Sequence, residues 1–156
     1  DRLPTVGLAV YARDVAHLMK WLLRLFLATH IRLYRLTGGR VGGKLGNNAI
    51  LLLYTVGRKS GRPQITPLVY FRDGNSYVIT ASNGGAARHP AWYYNLKARP
   101  QTQIQVMGWQ IQVTVEEAAA PGRERLWQQL IAGHPQFAGY QAKTARVIPL
   151  LVLHPR

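Results

Sequence analysis

The stretch AILLLYTVGRKSGRPQITPLVYF, residues 49–71, contains two apolar runs that are separated by a basic turn. Both runs are rich in β-branched and aromatic residues, which is typical of strands. A simple hairpin turn needs glycine or asparagine, yet this turn carries an arginine, a lysine and a serine between Gly57 and Gly61. The glycines allow a sharp turn and the close approach of a ligand, and the cations offer charge-assisted donors to phosphate or carboxylate. The stretch therefore predicts two paired strands joined by an anion-binding loop, although an exposed basic turn without a ligand would have the same composition.

The rest of the chain supplies further strands and two helices. Strands are expected at 49–56, 65–72, 76–82, 103–108, 109–118 and 146–154, and helices at 89–97 and 121–133. Asp73 and Gly74 supply a hairpin turn, and Pro90 suits the first position of a helix. Six strands with two inserted helices predict an α+β fold, a small six-stranded antiparallel barrel with helices packed outside it.

The N-terminal region has a different pattern. Residues 13–36 have apolar side chains at helical spacing in a stripe wider than one core face requires. Basic residues interrupt the stripe, which argues against a membrane-spanning helix. Two interpretations stay open: a helix packed on its own domain, or a basic amphipathic helix lying on a membrane surface. The stretch LTGGRVGGKLGN, residues 36–47, is rich in glycine and predicts a mobile connection. We therefore divide the chain into an N-terminal helix with its connection, 1–46, and a main domain, 47–156.

The charge balance limits the choice of partners. The 156 residues include 20 Lys+Arg against 6 Asp+Glu, a net charge of +14. Such a charge attracts nucleic acid, anionic lipid or a ligand rich in phosphate and carboxylate. The aromatic residues fall mainly in apolar runs, which argues against a nucleic-acid-binding module. The lack of cysteine excludes disulfides and thiolate metal sites, and the scattered histidines predict no metal site. We expect a cytoplasmic protein, or one at the inner face of the cell membrane if the helix binds lipid.

A second segment suggests a binding site for a flat anionic ligand. In TASNGGAARHPAWYYNL, residues 80–96, a strand ends near Ser82 and two glycines follow. Glycines at that place let a planar ligand approach the backbone. A helix then begins near His89, and a helix N-terminus favours anions. Trp92 is large for so short a helix and would also suit the core.

The two segments together resemble the deazaflavin-dependent nitroreductase family, the oxidoreductases that use coenzyme F420 (8-hydroxy-5-deazaflavin). The similarity covers about residues 52–106 and continues more loosely over 124–155. It implies a flavin-binding split β-barrel and hydride transfer from reduced F420 to an electron-poor acceptor such as a quinone, an enone or a nitro compound. An FMN- or haem-binding protein on the same barrel is the alternative, with FMN as the alternative cofactor. A basic nucleic-acid-binding module is a more distant one, and both a monomer and a homodimer stay open.

The resemblance also implies the residues that bind the cofactor. The loop that holds the phosphate and carboxylate tail of F420 would be Arg58, Lys59 and Ser60. The other implied cofactor-binding residues are Thr66, Pro67, Leu68, Ala81, Ser82, Asn83, Gly84, Gly85, Arg88, Pro90, Trp92 and Asn95. Many relatives carry basic residues at the positions of Gln64 and Asn83. Here Arg62 and Arg88 are the candidates to supply that charge.

The resemblance implies fewer residues for the pocket that binds the acceptor. Some relatives line the acceptor pocket with tyrosines, and only one of these, Tyr140, is present here. Val69 and Phe137 are the other implied residues of this pocket. A proton must follow the hydride, and Tyr140 and His134 are the candidate proton donors or substrate-orienting residues.

Overall fold

The computed structural model describes the backbone of residues 6–156 and the side chains of residues 15–156. The predicted N-terminal segment, 1–46, thus lies partly outside the described residues. The elements, in chain order, are α1 (Val6–Leu36), β1 (Lys44–Leu45), β2 (Asn48–Val56), β3 (Pro63–Asp73), β4 (Ser76–Thr80), a 3-10 turn (Asn83–Gly85), α2 (Ala91–Ala98), β5 (Gln101–Val106), β6 (Trp109–Glu117), α3 (Gly122–Gly133), α4 (Gln136–Ala142) and β7 (Leu150–Pro155).

Strands β2 to β7 form a closed antiparallel barrel in the order β2-β3-β4-β7-β6-β5. The barrel closes because β5 pairs back with β2. Leu53 on β2 lies opposite Thr66 on β3 and opposite Ile104 on β5. Closure leaves the six strands without a free edge. The predicted α+β fold, a six-stranded antiparallel barrel with flanking helices and an N-terminal helix, is confirmed.

Successive side chains of β2 point to opposite sides of the barrel wall, as the period of a strand requires. Leu51 and Leu53 belong to the barrel interior, where Trp92 of α2 also packs. Ile50 and Leu52 belong to an outer cluster with α1. Helices α3 and α4 cover β4 and β7 in a third cluster, which contains Val78, Leu126, Leu130, Phe137 and Leu150. The helices therefore pack around the barrel and fix the loops between them.

Some predicted boundaries are wrong. The last strand begins at Leu150, not at residue 146. The backbone before it is held by Gln141, whose side chain donates to the Arg146 carbonyl at 2.8 Å and accepts from the Ile148 amide at 3.0 Å. Because a side chain satisfies these backbone groups, the segment does not join the strand ladder. Pro90 precedes α2 in an extended conformation and does not occupy its first turn.

Two short elements were not predicted from the sequence. The first is β1, which pairs Lys44 with Ala49 at the start of β2. The second is α4, a helix of seven residues that contains a glycine. A short helix with Gly139 has weak intrinsic propensity, so its formation depends on the burial of Phe137 against α3 and β4.

Helix α1 is anchored at its C-terminal end and exposed in its middle turns. Tyr34 is fully buried, and its hydroxyl donates to the Ile50 carbonyl and accepts from the Met107 amide, both at 2.9 Å. Further upstream the apolar side chains are open, and Leu18, Met19 and Phe26 are each more than half exposed. The packed-helix interpretation therefore holds for the last turns of α1. Within the part of the chain that the structure describes, no helix has the length and apolar character that crossing a bilayer requires.

The glycine-rich connection forms a hydrogen-bonded turn that packs against α1, and its mobility stays a prediction. The Gly39 amide donates to the Tyr34 carbonyl at 2.7 Å, and the Ile50 amide donates to the Gly43 carbonyl at 2.9 Å. Gly42 has a φ of +84°, and a Cβ there would lie 2.4 Å from the His30 ring. The glycines thus allow close packing of the turn against α1.

Candidate functional site

Most of the predicted site residues line two pockets in one region of the barrel. The first, called here the basic pocket, has a volume of about 350 Å³ and is lined by Gly57, Arg58, Lys59, Ser60, Gln64, His89, Ala91, Tyr94 and Asn95. The second, called the aromatic pocket, has a volume of about 330 Å³ and is lined by Leu45, Asn48, Pro67, Leu68, Val69, Thr80, Ser82, Gly84, Gln136, Phe137 and Tyr140. Both pockets use β3 as one wall and the 82–91 segment as another.

The basic loop is a compact turn between β2 and β3. The Gly61 amide donates to the Gly57 carbonyl at 2.8 Å, and the Gly57 amide donates to the Arg62 carbonyl at 2.9 Å. Gly61 has a φ of +65°, a backbone conformation that residues with a side chain rarely adopt. The Arg58 guanidinium lies 4.8 Å from the centre of the Tyr94 ring, within cation–π distance. The loop thus presents Arg58 and Lys59 as exposed cations at the pocket.

Asn95 fastens this loop to α2 and to both neighbouring strands. Its side chain is only 4% exposed. Its Oδ1 accepts from the Arg58 amide at 3.0 Å, and its Nδ2 donates to Thr55 Oγ1 and to Gln64 Oε1, each at 3.3 Å. Since protein groups occupy both ends of the amide, Asn95 shapes the basic pocket from behind. Gln64 belongs to this same network.

The aromatic pocket is formed by packing. Phe137 and Tyr140 of α4 meet edge to face, with ring centroids 5.5 Å apart. Opposite them lie Pro67, Leu68 and Val69 of β3. Gly85 brings α4 close to the 3-10 turn, because a Cβ there would lie 2.5 Å from the Tyr140 carbonyl oxygen. The shape of this pocket therefore depends on α4, a helix that the sequence analysis did not find.

Arg146, which the sequence analysis placed in a strand, fixes the loop that both pockets share. Its guanidinium donates to the carbonyls of Ala81 at 3.1 Å, Ser82 at 2.6 Å and Ala86 at 2.9 Å. Its Nη1 also lies 3.0 Å from Nδ1 of His89. A guanidinium can only donate, so Nδ1 of His89 accepts and its Nε2 carries the hydrogen. The one available signal was an arginine just before an apolar strand, which does not point to a particular partner.

His89 is surrounded by a polar and aromatic group behind the basic pocket. Burial, with the neighbouring Arg146 charge, lowers the pKa of His89 below 6.5. Its ring centroid lies 4.5 Å from that of Tyr93, whose hydroxyl donates to Glu117 at 2.9 Å. Burial and that hydrogen bond raise the pKa of Tyr93 to about 12. Although burial raises the pKa of Glu117, hydrogen bonds from Lys97 and Tyr93 keep it below its usual value. This group joins α2 to β6 and keeps Tyr93 protonated.

His134 lies behind the aromatic pocket and does not line it. Its Nδ1 is 2.6 Å from Oδ1 of Asn48, a residue of the pocket wall. An amide oxygen only accepts, so this contact places the hydrogen of His134 on Nδ1. Burial lowers the pKa of the ring, which favours its neutral form. Asn48, which the sequence analysis did not single out, is therefore the group that connects His134 to the pocket.

The other predicted residues surround the pockets without lining them. Ala81 and Trp92 are buried in the barrel core, and Thr66 pairs with Leu53 in the wall. The side chain of Asn83 donates to the Arg88 carbonyl at 2.9 Å. Gly85, Arg88 and Pro90 belong to the loop or its ends. These residues set the path of the 81–91 segment, and Arg88 is exposed.

A larger cavity, of about 460 Å³, lies elsewhere, at the end of α1. Arg32, Arg35 and Gln105 are among its lining residues. None of the predicted site residues lines it. The predicted site residues that line a cavity therefore line the basic pocket or the aromatic pocket.

Comparison with known proteins gives the same family as the motifs. A family model described as F420H(2)-dependent quinone reductase matches residues 26–155. An F420H(2)-dependent quinone reductase of Mycobacterium tuberculosis is 41% identical over 134 residues, which cover 83% of this chain and 90% of that protein.

Two solved structures are similar over most of their length. An F420-H2 dependent reductase has a TM-score of 0.62 and 35% identity, covering 67% of this chain and 93% of its own. A structure described as a domain-swapped dimer has a TM-score of 0.65 and 29% identity, covering 90% of this chain and 99% of its own.

Proposed function

The chain belongs to the F420H(2)-dependent quinone reductase family, and from this premise we propose how its two pockets divide the reaction. The protein is an oxidoreductase that uses coenzyme F420, and its reaction is hydride transfer from reduced F420 to a quinone. The expected enzyme class and cofactor, which the resemblance implied, are thereby confirmed. The roles of individual residues and the contacts with membrane or partner that follow are our proposals.

The adjacency of the two pockets carries the proposal. Gln64 of the basic pocket and Pro67 of the aromatic pocket are three residues apart on the same strand. Because a strand rises about 3.3 Å per residue, these two lining residues are about 10 Å apart along β3. A ligand with a flat ring and an anionic tail fits such a pair, with the ring in the aromatic pocket and the tail in the basic pocket.

The basic pocket suits the tail because its cations are available. Among the described residues, Arg58 and Lys59 make no ion pair with a carboxylate. Both are exposed, so anionic groups can reach them from solvent. Arg58 can bind a phosphate or carboxylate with two parallel hydrogen bonds, and Lys59 adds a point charge. Ser60 contributes a hydroxyl at the same rim.

The aromatic pocket suits the ring and the acceptor. When bound, reduced F420 supplies a hydride from a ring carbon to the acceptor. Pro67 and Leu68 offer a wall of backbone on one side, and Gly84 leaves open space, with no atom within 4 Å of where its Cβ would be. Val69, Phe137 and Tyr140 form the apolar side that receives the acceptor and excludes water from it.

The proton that completes quinone reduction comes from Tyr140 in this proposal. Its side chain lines the pocket, whereas His134 reaches the pocket only through Asn48. With the hydrogen on Nδ1, neutral His134 has no proton to give from Nε2. We assign His134 the role of orienting Asn48, whose side-chain amide can then hydrogen-bond the acceptor oxygen.

The test of the function compares two cofactors and several acceptors. Fluorescence titration should show tighter binding of F420 than of FMN, because FMN lacks the long anionic tail that the basic pocket suits. Reduced F420 should then be oxidised by quinones, and enones and nitro compounds serve as competing acceptors. Equal or tighter binding of FMN, or no oxidation of reduced F420 by any quinone, contradicts the proposal.

We further propose that the exposed middle turns of α1 touch an anionic membrane surface. Residues 1–46 carry 8 basic and 2 acidic residues, and Leu18, Met19 and Leu22 are exposed beside them. Each cation near an anionic bilayer contributes about 1 kcal/mol. Two copies of the chain each carry +14, so like charge opposes self-association through this face. A homodimer, as in the similar structure described as a domain-swapped dimer, is the competing arrangement.

Vesicle sedimentation separates these arrangements. The intact chain should co-sediment with anionic vesicles at low salt and be released at high salt. Replacing Leu18 and Leu22 by Asn should weaken binding while the barrel stays folded. Deletion of residues 1–46 is a poor test, because it removes Tyr34, which is fully buried against the barrel. Two results together favour the domain-swapped dimer: the protein stays in the supernatant when anionic vesicles are pelleted at low salt, and it has the mass of a dimer in the absence of vesicles.

A further inference from the structure

A fourth cavity lies between α1 and the barrel and is almost entirely apolar. This helix groove has a volume of about 240 Å³ and is lined by Phe26, Leu27, His30, Leu45, Ile50, Pro67 and Val69. Six of these seven residues are apolar. An exposed apolar groove is unfavourable in water unless something covers it, so the groove is a candidate binding site for an apolar group.

The one polar lining residue, His30, uses its ring nitrogen Nε2 in a hydrogen bond to the backbone. Its Nε2 is 2.9 Å from the Gly42 carbonyl, and since a carbonyl only accepts, His30 donates there. Its ring stacks on Phe26, with an angle of 8° between the planes, and meets Tyr34 edge to face. His30 therefore contributes an aromatic ring to the groove and fixes the position of Phe26. The groove thus has the character of a site for hydrocarbon.

The groove adjoins the aromatic pocket. Leu45, Pro67 and Val69 line both cavities. Pro67 and Val69 are two residues apart on β3, so their side chains point to the same face of the strand. An apolar chain that leaves the acceptor side of the aromatic pocket can thus continue into the groove without crossing a polar surface.

We propose that the helix groove binds the apolar tail of a lipophilic quinone whose ring enters the aromatic pocket. The inference rests on the proposed function and adds a tail site to it. A lipid acyl chain or a second copy of this protein would also cover the groove with apolar surface. Neither requires the groove to lie beside the aromatic pocket and to share three lining residues with it, whereas a ring with a tail does. Phe26 and Leu27 of α1 are then specificity residues for tailed acceptors.

The test compares quinones that differ only in their tail. The probes are 2-methyl-1,4-naphthoquinone and the same ring with one or two isoprene units, all in detergent-free solution with the full-length chain. Leu27→Gln should raise the KM for the tailed quinones about tenfold, because it removes apolar contact with several methylene-sized groups. The KM for the tail-free ring and the Kd for F420 should change less than about twofold.

Two further variants make the test specific. Leu25 lies on the same helix, is 51% exposed and does not line the groove, so Leu25→Gln is the matched control and should leave both KM values unchanged. Phe26 is 66% exposed, so Phe26→Gln should fold even if Leu27→Gln does not. It should repeat the tail-selective loss. Equal effects of Leu27→Gln on tailed and tail-free quinones, or equal effects of Leu25→Gln and Phe26→Gln, overturn the tail site while the quinone reductase activity stands.

A binding measurement separates this inference from the proposed function. In the absence of F420, quenching of tryptophan fluorescence should show tighter binding of the tailed quinone than of the tail-free ring, and Phe26→Gln should abolish the difference. If no quinone oxidises reduced F420 but this difference in binding is found, the proposed function fails and the tail site stands. If the parent chain binds both quinones equally, the tail site is overturned whatever the activity.

Discussion

The basic pocket and the aromatic pocket are neighbours on one barrel, but different forces give them their shape. Hydrogen bonds hold the basic pocket: Asn95 joins the backbone of its loop to two strands. Side-chain packing holds the aromatic pocket, where Phe137 and Tyr140 of α4 close over β3. Arg146 is common to both, because it fixes the loop that passes from one pocket to the other.

This difference predicts that the pockets can be disrupted separately. A hydrogen-bonded site is sensitive to the loss of a single polar partner, since buried polar groups left unpaired are costly. A site formed by packing keeps its shape when one polar atom is removed, but it loses the reaction step that this atom performs. Binding of whole F420 reports on both pockets, whereas its deazaflavin chromophore without the anionic tail reports on the aromatic pocket alone.

The largest effect is expected from Arg146→Met, which should damage both pockets. It removes the donors to three loop carbonyls, so the free energy of unfolding should fall by about 3 kcal/mol, the upper range for a hydrogen-bonded charged group. Affinity for F420 and for the tail-free chromophore should both fall by at least about tenfold. Urea unfolding and fluorescence titration measure these changes. Arg146→Lys keeps the charge without the planar fork and should recover only part of the loss. Parent-like affinity in Arg146→Met would show that the loop is held by other contacts.

Asn95→Leu should disrupt the basic pocket alone. The variant keeps the size of the side chain but leaves the Arg58 amide and the Gln64 side chain without their partner, so the free energy of unfolding should fall by about 2 kcal/mol. Affinity for F420 should fall, and affinity for the tail-free chromophore should not. Asn95→Asp keeps the acceptor for the Arg58 amide and serves as the intermediate control. A similar loss of affinity for both ligands would mean that the two pockets are not independent.

Arg58→Ala and Lys59→Ala should weaken binding of F420 without affecting folding. Each removes a charged donor, so a loss of about 1.5 kcal/mol is expected, and it should shrink as salt is added. Neither exposed side chain supports the core, so thermal unfolding should be unchanged. Arg99→Ala removes the same charge at the exposed end of α2 and controls for net charge. An equal loss in Arg99→Ala would assign the effect to the overall field and not to the loop.

Tyr140→Phe should affect the acceptor and spare the cofactor. Loss of the proton donor should lower kcat/KM for quinones about 100-fold, the low end for general acid catalysis by a positioned side chain, while the Kd for F420 is unchanged. Steady-state kinetics with several quinones measure this. Tyr94→Phe removes a hydroxyl from the basic pocket and should leave acceptor kinetics unchanged. If Tyr140→Phe has parent-like kinetics with all acceptors, Tyr140 is not the proton donor.

The smallest effect is on the pH dependence of stability. His89 and His134 both have pKa values that burial lowers below 6.5. The folded protein therefore binds fewer protons than the unfolded chain below that pH, and the free energy of unfolding should fall as the pH falls through about 6.5. His134→Gln and His89→Gln should each flatten part of this decline, and urea unfolding between pH 5 and 8 measures it. An unchanged profile in the double variant would assign the decline to other groups.

Much of the fold followed from local sequence signals. The apolar strands, the helices α2 and α3 and the basic loop have clear patterns, and the structure has them close to the predicted positions. The missed elements are those whose formation depends on distant partners. The two residues of β1 are a strand because they pair with β2, and α4 is a helix because Phe137 is buried between other elements.

The candidate site was only partly predicted, again because some of its contacts join residues that are far apart in the sequence. Its motif residues could be named from the sequence, but the motifs did not distinguish residues that line a pocket from those that support it. Trp92 and Ala81 are core residues, and Asn95 works mainly through bonds to the protein itself. Asn48 and Arg146 act at the site across 86 and 65 residues of sequence separation, which no local pattern reveals.

The sequence by itself determined the strands and most of the helices, the basic loop and the family, because each depends on residues that are close together in the chain. The tertiary structure decided which of these residues face a cavity. It divided the site into two pockets, made Arg146 their common support, and buried the C-terminal end of α1 while leaving its middle turns exposed. Those features depend on side chains that meet only when the barrel closes, since hydrogen bonds and packing act over a few ångströms whatever the distance along the chain.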